Sequence, residues 1–144
     1  VIFDKSLQFS DAQVITATAA STNSIDFGPG GRVYGAAADI PRDIARSVHL
    51  PLLIQVVEAF NTLTSLTISL ELDTTTTFTP DKTIQLASIP LANLTLGAQV
   101  YYAELPQGIS MRYARLKYTV VGTDPTTGKI TAGIVDGVQS NGTP

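Results

Sequence analysis

The chain contains no cysteine and no tryptophan, and only one histidine and one methionine among 144 residues. Without cysteine there is no thiol nucleophile, no thiolate zinc site and no disulfide scaffold. At this length none of these is needed, because a domain this size buries roughly 68–70% of the surface its unfolded chain exposes. The length fits a single domain over 1–144. Charge is also scarce. Only 15% of residues are Asp, Glu, Lys or Arg and the net charge is −3, against a usual ~25% charged. With no basic run, nucleic acid is not the expected partner. Long apolar runs are missing too. The longest, 50–60, is interrupted by Pro51, Gln55 and Glu58, so no membrane helix is expected. The first residues, VIFDKSLQFSD, carry Asp4 and Lys5 and lack the apolar core of a signal peptide. Production in a reducing cytoplasm is the expectation.

What the chain does have is period-two patterning. In 112–139, RYARLKYTVVGTDPTTGKITAGIVDGVQ, residues Ala114, Leu116, Tyr118 and Val120 share one face and Arg115, Lys117 and Thr119 the other. Ile130, Ala132 and Ile134 alternate with Thr131 and Gly133. With Asp124, Pro125 and flanking glycines between them, the two runs read as a β-hairpin with a long turn. Leu63 to Asp73 alternates most cleanly, with Leu66, Ile68, Leu70 and Leu72 on one side and Thr67, Ser69 and Glu71 on the other. Leu52 to Phe60 is apolar on both faces and reads as a central strand. Further strands are expected at 14–20, 25–27, 83–89 and 99–105. Ser10 to Gln13 reads as a turn, 74–80 as a polar loop, and 91–96 as a connector. Residues 1–9 read as an edge strand or a docked arm, 28–48 as a long loop with one short helical turn at 39–46, and 136–144 as a loose tail. About eight strands at sandwich spacing and no convincing helix predict an all-β, antiparallel, jelly-roll-like β-sandwich.

A search for chemistry finds little. His49 is the sole histidine and reads as a loop or partly buried residue. A metal site without cysteine would need several carboxylates beside it, and the acids are scattered. Gly28-Pro29-Gly30-Gly31 lacks the Lys-Ser/Thr and helix of a phosphate loop, so it reads as a turn. There is no G-x-S-x-G elbow, and no carboxylate pair stands out for glycoside hydrolysis. The acceptor patterns at Asn93 and Asn141 read as chance. Neither enzyme nor cofactor is expected. Arg112, Arg115 and Lys117, like Arg32, Arg42 and Arg46, are open to two readings: solvated surface charges, or a patch meeting a partner's carboxylates, which arginine binds in bidentate fashion.

Several segments together resemble a known family: IFDKSLQFSDAQ at 2–13, IDFG at 25–28, GAAADIPRDIA at 35–45, PLLIQVVEAFNTLTSLTISLELD at 51–73, IPLANLTLG at 89–97, and 105–139. Their order and spacing resemble the capsid cement (decoration) proteins of tailed bacteriophages, of the Bordetella phage type. The resemblance implies a structural virion protein on the outer capsid surface, made in the bacterial host cytoplasm. It would bridge and stabilise neighbouring major capsid subunits. Its partners would be the major capsid protein and itself, as a homodimer in the first place or a homotrimer, with no nucleic acid, membrane, metal or cofactor. The candidate shell or subunit contacts are Ile2, Phe3, Leu7 and Phe9 in the first segment, Arg32, Arg42 and Arg46 in the long loop, and Arg112 and Arg115. The alternative is a carbohydrate-binding jelly-roll module displayed on a virion, although sugar platforms favour tryptophan and this chain has none. A glycosidase is a third, weaker reading.

Overall fold

Two antiparallel sheets close over one apolar core. The computed structural model describes residues 2–46 and 48–137. Its strands are β1 (Gln8–Val14), β2 (Ala19–Ala20), β3 (Ile25–Asp26), β4 (Pro51–Glu58), β5 (Leu63–Asp73), β6 (Lys82–Pro90), β7 (Gln99–Glu104), β8 (Tyr113–Gly122) and β9 (Lys129–Ile134). One sheet has the order β1-β9-β4-β7; the other runs β2-β8-β5-β6, with β3 also on β8. Except at β5–β6, which pair within one sheet, the chain crosses back and forth between the sheets in the jelly-roll topology. The expected fold class is therefore the observed one. Nine strands appear where about eight were predicted, because one jelly-roll strand is split into β2 and β3. Ser21 makes the break. Its Oγ accepts from the Leu116 N–H at 3.0 Å and donates to the Asn23 carbonyl at 2.8 Å, so a side chain replaces a ladder partner.

The core follows from the alternation. Leu66, Ile68, Leu70 and Leu72 of β5 and Ala114, Leu116 and Tyr118 of β8 are fully buried. From the other sheet they meet Leu52, Ile54 and Val56 of β4 and Ile130, Ala132 and Ile134 of β9. Strand β4 is central, as expected.

Four local expectations are corrected. Residues 112–139 do not form a hairpin: β8 and β9 belong to different sheets, and 123–128 cross between them. Their apolar faces meet across the core rather than edge to edge, which alternation alone cannot distinguish. Ser10 to Gln13 is not a turn but part of β1, where a bulge slips the register against β9 and puts Ala12 at φ 46°. Of the strand expected at 14–20, only Val14 and Ala19–Ala20 are extended and paired; the rest carries the chain from one sheet to the other. The polar face of β5 is also less exposed than alternation implies. Ser69, Glu71 and Asp73 are buried. There the 74–81 loop folds back with Phe78 buried, and the Arg115 guanidinium lies 4.4 Å from its ring centroid.

The outer face of the β1-β9-β4-β7 sheet is covered at one end. Leu53 lies outside the main core yet is fully buried. Beside it, Gly133 has no room for a side chain, since a Cβ there would stand 2.9 Å from Phe3 Cδ1. The N-terminal segment is thus a docked arm. Asp4 caps its single 3-10 turn, Lys5–Leu7, accepting the Ser6 N–H at 2.9 Å.

Candidate functional site

The connections at one end of the sandwich hold nearly all the candidate residues. Strand β3 ends there at Asp26, β4 begins beside the end of β7, β5 ends at Asp73 and β8 begins at Tyr113. The loops 27–50, 74–81 and 105–112 are therefore neighbours. The first is the expected long loop, and Arg46 donates its N–H to the Asp43 carbonyl at 3.2 Å in the short turn expected there.

This loop projects a tongue. Every residue from 31 to 40 is exposed, yet the tongue has a built stem. The Ile40 N–H donates to the Gly31 carbonyl at 2.8 Å, and Arg32 Nε meets Asp39 Oδ1 at 3.1 Å. A turn at the tip is closed by Ala36 N–H donating to the Val33 carbonyl at 2.9 Å. Tyr34 on this tip is completely exposed and Val33 more than half so. Below the tongue, the Asp43 carboxylate ties the loop to 105–112. It accepts the backbone N–H groups of Gly108 at 2.8 Å and Ile109 at 3.3 Å. The Gly108 bond is the main reason its pKa lies below the ordinary aspartate value.

The predicted arginines are spent holding this end together. Arg112 grips Asp26 through Nε and Nη2, both at 2.8 Å. That hydrogen bonding, aided by the Gly28 N–H, holds Asp26 down at about 2. Arg42 donates to the carbonyls of Gly28 and Pro29. Arg42, Arg112 and Asp39 line one cleft at the tongue's base. Arg115 pairs with Glu71 at 2.6 Å on the covered face of β5. Arg46 alone of the five is exposed without an ion pair among the described residues. A free basic patch awaiting carboxylates is not what these residues form.

The apolar candidates divide similarly. Phe9 is fully buried in the core and can touch no partner, which corrects its place among the contacts. Phe3 and Leu7 are half-buried under the arm. Ile2 remains 77% exposed. It borders an apolar cleft of about 630 Å³ shared with Phe3, Leu7, Leu50, Ile134 and Val135. His49, at the rim, is exposed with Nδ1 against Glu104 Oε1. The loose tail expected at 136–144 lies outside the described residues beyond Gly137.

Sequence reasoning missed the tongue tip and the Asp43 tether. The tip had a signal, since Val33 and Tyr34 are the only large apolar residues in a run of glycine, alanine and charge. The tether had none, because its partners lie more than sixty residues away. Among the described residues there is no group of three or more His, Asp or Glu placed to hold a metal. Among the same residues no helix is long and apolar enough to cross a membrane.

No curated protein matches the sequence. A family model described as Bbp16 matches residues 9–137, which takes in both sheets and the whole loop end. The chain therefore belongs to the Bbp16 family, whose name points to a Bordetella phage protein.

Proposed function

We propose that this protein is a capsid cement protein: it binds the outer surface of a phage head and bridges neighbouring major capsid subunits. The observation that carries this reading is the tongue at 31–40. An ordered loop that buries nothing of its own, yet presents Val33 and Tyr34 on a braced stem, is built to be covered by another molecule. Aromatic side chains of this kind dominate binding at interface centres. A sandwich with a rigid core and a projecting contact loop needs no catalytic group to act as a clamp. The protein works without cofactor, in the virion, with the major capsid protein and further copies of itself as partners. Each contact can be modest, near a standard ~800 Å² per partner. Repetition over a symmetric shell then multiplies the hold through effective concentration.

The test is excision of the tongue. Gly31 and Ile40 are already hydrogen-bonded, so residues 32–39 can be replaced by a two-residue Gly-Ser turn without opening the sandwich. The shortened protein is expected to keep its unfolding midpoint and to lose co-sedimentation with expanded shells, as is the Tyr34→Ala variant to a lesser degree. Full shell occupancy by both would sink the reading.

A further inference from the structure

The hairpin between β5 and β6 closes on two acids. Leu72 pairs with Lys82, so the next step of the register sets Asp73 against Asp81 across the mouth of the 74–81 loop. Like charges directly opposite one another on antiparallel strands are destabilising. Among the described residues neither carboxylate has a cationic partner. Arg112 is committed to Asp26 and Arg115 to Glu71, and Lys82 turns its Nζ to the Gly108 carbonyl at 3.3 Å. Asp73 is moreover only 2% exposed, and its Oδ2 is enclosed with no hydrogen-bond partner. No other buried side-chain oxygen or nitrogen among the described residues is left in that state. The carboxyl is ionised at neutral pH, because the Thr75 N–H, bonded to Oδ1 at 2.9 Å, holds its pKa below the ordinary aspartate value. A buried charge with an unmet oxygen is costly to leave alone.

One hydroxyl stands between the two acids. Thr74 Oγ1 lies 3.5 Å from Asp73 Oδ1 and 3.4 Å from Asp81 Oδ2. A good O–H···O bond spans about 2.5–3.0 Å, so both separations are too long for one. They match a different arrangement. Oxygens that bind one calcium ion at about 2.3–2.6 Å and subtend a right angle stand about 3.3–3.7 Å apart. Around magnesium, at about 2.0–2.1 Å, the same oxygens would stand about 2.8–3.0 Å apart. The loop is braced at this spacing: Phe78 is buried at φ 46° under the Arg115 guanidinium, and Thr75 Oγ1 lies 2.9 Å from Thr77 Oγ1. Thr74 and Asp81 are exposed, so water can reach the remaining side.

We propose that Asp73, Thr74 and Asp81 hold a calcium ion at the mouth of this hairpin. The ion supplies the positive charge that the two facing carboxylates lack, and bidentate contact with Asp73 gives the enclosed Oδ2 its partner. Thr74 Oγ1 is the third protein ligand, and waters fill the rest of the shell. Two carboxylates make a weak site, of the ~10⁻⁴–10⁻³ M class. The ion fastens the end of β5 to the start of β6. Thr74 also lines the cleft at the tongue's base, so the same ion fixes one wall of the end that carries the tongue. It is a structural fastener and performs no chemistry. The inference stands apart from shell binding.

The test is calcium titration of the full chain, first freed of metal with a chelator, by calorimetry, together with thermal melts in about 10 mM calcium or magnesium. Wild type is expected to bind one calcium ion, to melt higher in its presence, and to bind magnesium at least ~10-fold more weakly. Asp81→Asn removes an exposed ligand without disturbing the sandwich. It should weaken calcium at least ~10-fold and yet melt above wild type in chelator, because one of two facing charges is gone. Thr74→Val should weaken calcium by less. Asp124→Asn, which alters an exposed acid at the other end of the sandwich, should leave binding unchanged. Tyr113 lies opposite Asp73, so terbium bound here should emit on tyrosine excitation, and calcium should displace it. No heat and no shift in melting with calcium would overturn the inference. So would calcium binding that survives Asp81→Asn, or magnesium binding as tight as calcium.

Discussion

A buried polar chain between the sheets yields a prediction with an unusual sign. Tyr118 of β8 is fully buried, and its Oη lies 2.8 Å from Ser10 Oγ on β1, in the other sheet. Ser10 Oγ in turn lies 2.7 Å from Gln13 Oε1. The Gln13 amide is fixed, with Nε2 donating to the Ala20 carbonyl and Oε1 accepting the Thr22 N–H. The Ser10 proton must therefore go to Gln13, and the Tyr118 hydroxyl must donate to Ser10. Tyr118→Phe removes this donor and leaves every remaining donor satisfied, a loss of about 0.5–1.5 kcal/mol. Ser10→Ala removes the bonds to both Gln13 and Tyr118 and strands the Tyr118 hydroxyl in the core, which costs about 1–3 kcal/mol. Each change removes one hydroxyl oxygen, yet Ser10→Ala should be the more damaging. The double variant, apolar on both sides, should cost less than the two single losses added together. Urea unfolding followed by far-UV circular dichroism measures all three. Equal or greater loss in Tyr118→Phe, or strict additivity, would refute the assigned direction of the chain. Burial, only partly offset by the Ser10 bond, raises the Tyr118 pKa above its usual 10. The unfolded state then releases this proton first, so wild type should lose stability as pH climbs past about 10, and Tyr118→Phe should lack that component.

Two further outcomes follow from the loop end and the arm. Asp26 has a folded pKa near 2, below its ordinary 3.8, because Arg112 and the Gly28 N–H favour the carboxylate. Its contribution is complete above the unfolded value and is lost as pH falls through the folded one. Asp26→Asn should therefore unfold earlier than wild type at pH 7, with the gap closing between about pH 4 and 2 in paired thermal melts. Gly133→Val places a side chain where Phe3 Cδ1 and the Leu7 carbonyl oxygen now stand, 2.9 and 3.1 Å from the new Cβ. The arm should lift, with about 1–3 kcal/mol lost and faster proteolysis within residues 2–7. An arm as resistant as the wild type's would show that Phe3 is not seated on Gly133.

Much of the fold was legible because a strand's pattern is local. Leu63 to Asp73 announces its bounds and buried face in eleven residues, and the structure returns the same bounds. The long loop at 28–48, the central position of β4 and the sandwich architecture were equally readable. The roles of the arginines were not. Arg112 is 86 residues from Asp26 and Arg115 is 44 from Glu71, and nothing near either residue in sequence points to its partner. The bulge at Ala12 was read as a turn because the two share the same polar residues and differ only in whether a neighbouring strand runs alongside.

By itself the sequence determined that this chain is an all-β sandwich with one long irregular loop. Composition and period-two alternation decide those things, and each is a property of residues close together in the chain. Only the tertiary structure decided that β8 and β9 face each other across the core, that Phe9 is core rather than contact, and that the loop arginines brace a tongue tipped by Tyr34. Each of these depends on which distant strand lies alongside, because alternation fixes a strand's faces but not its neighbours.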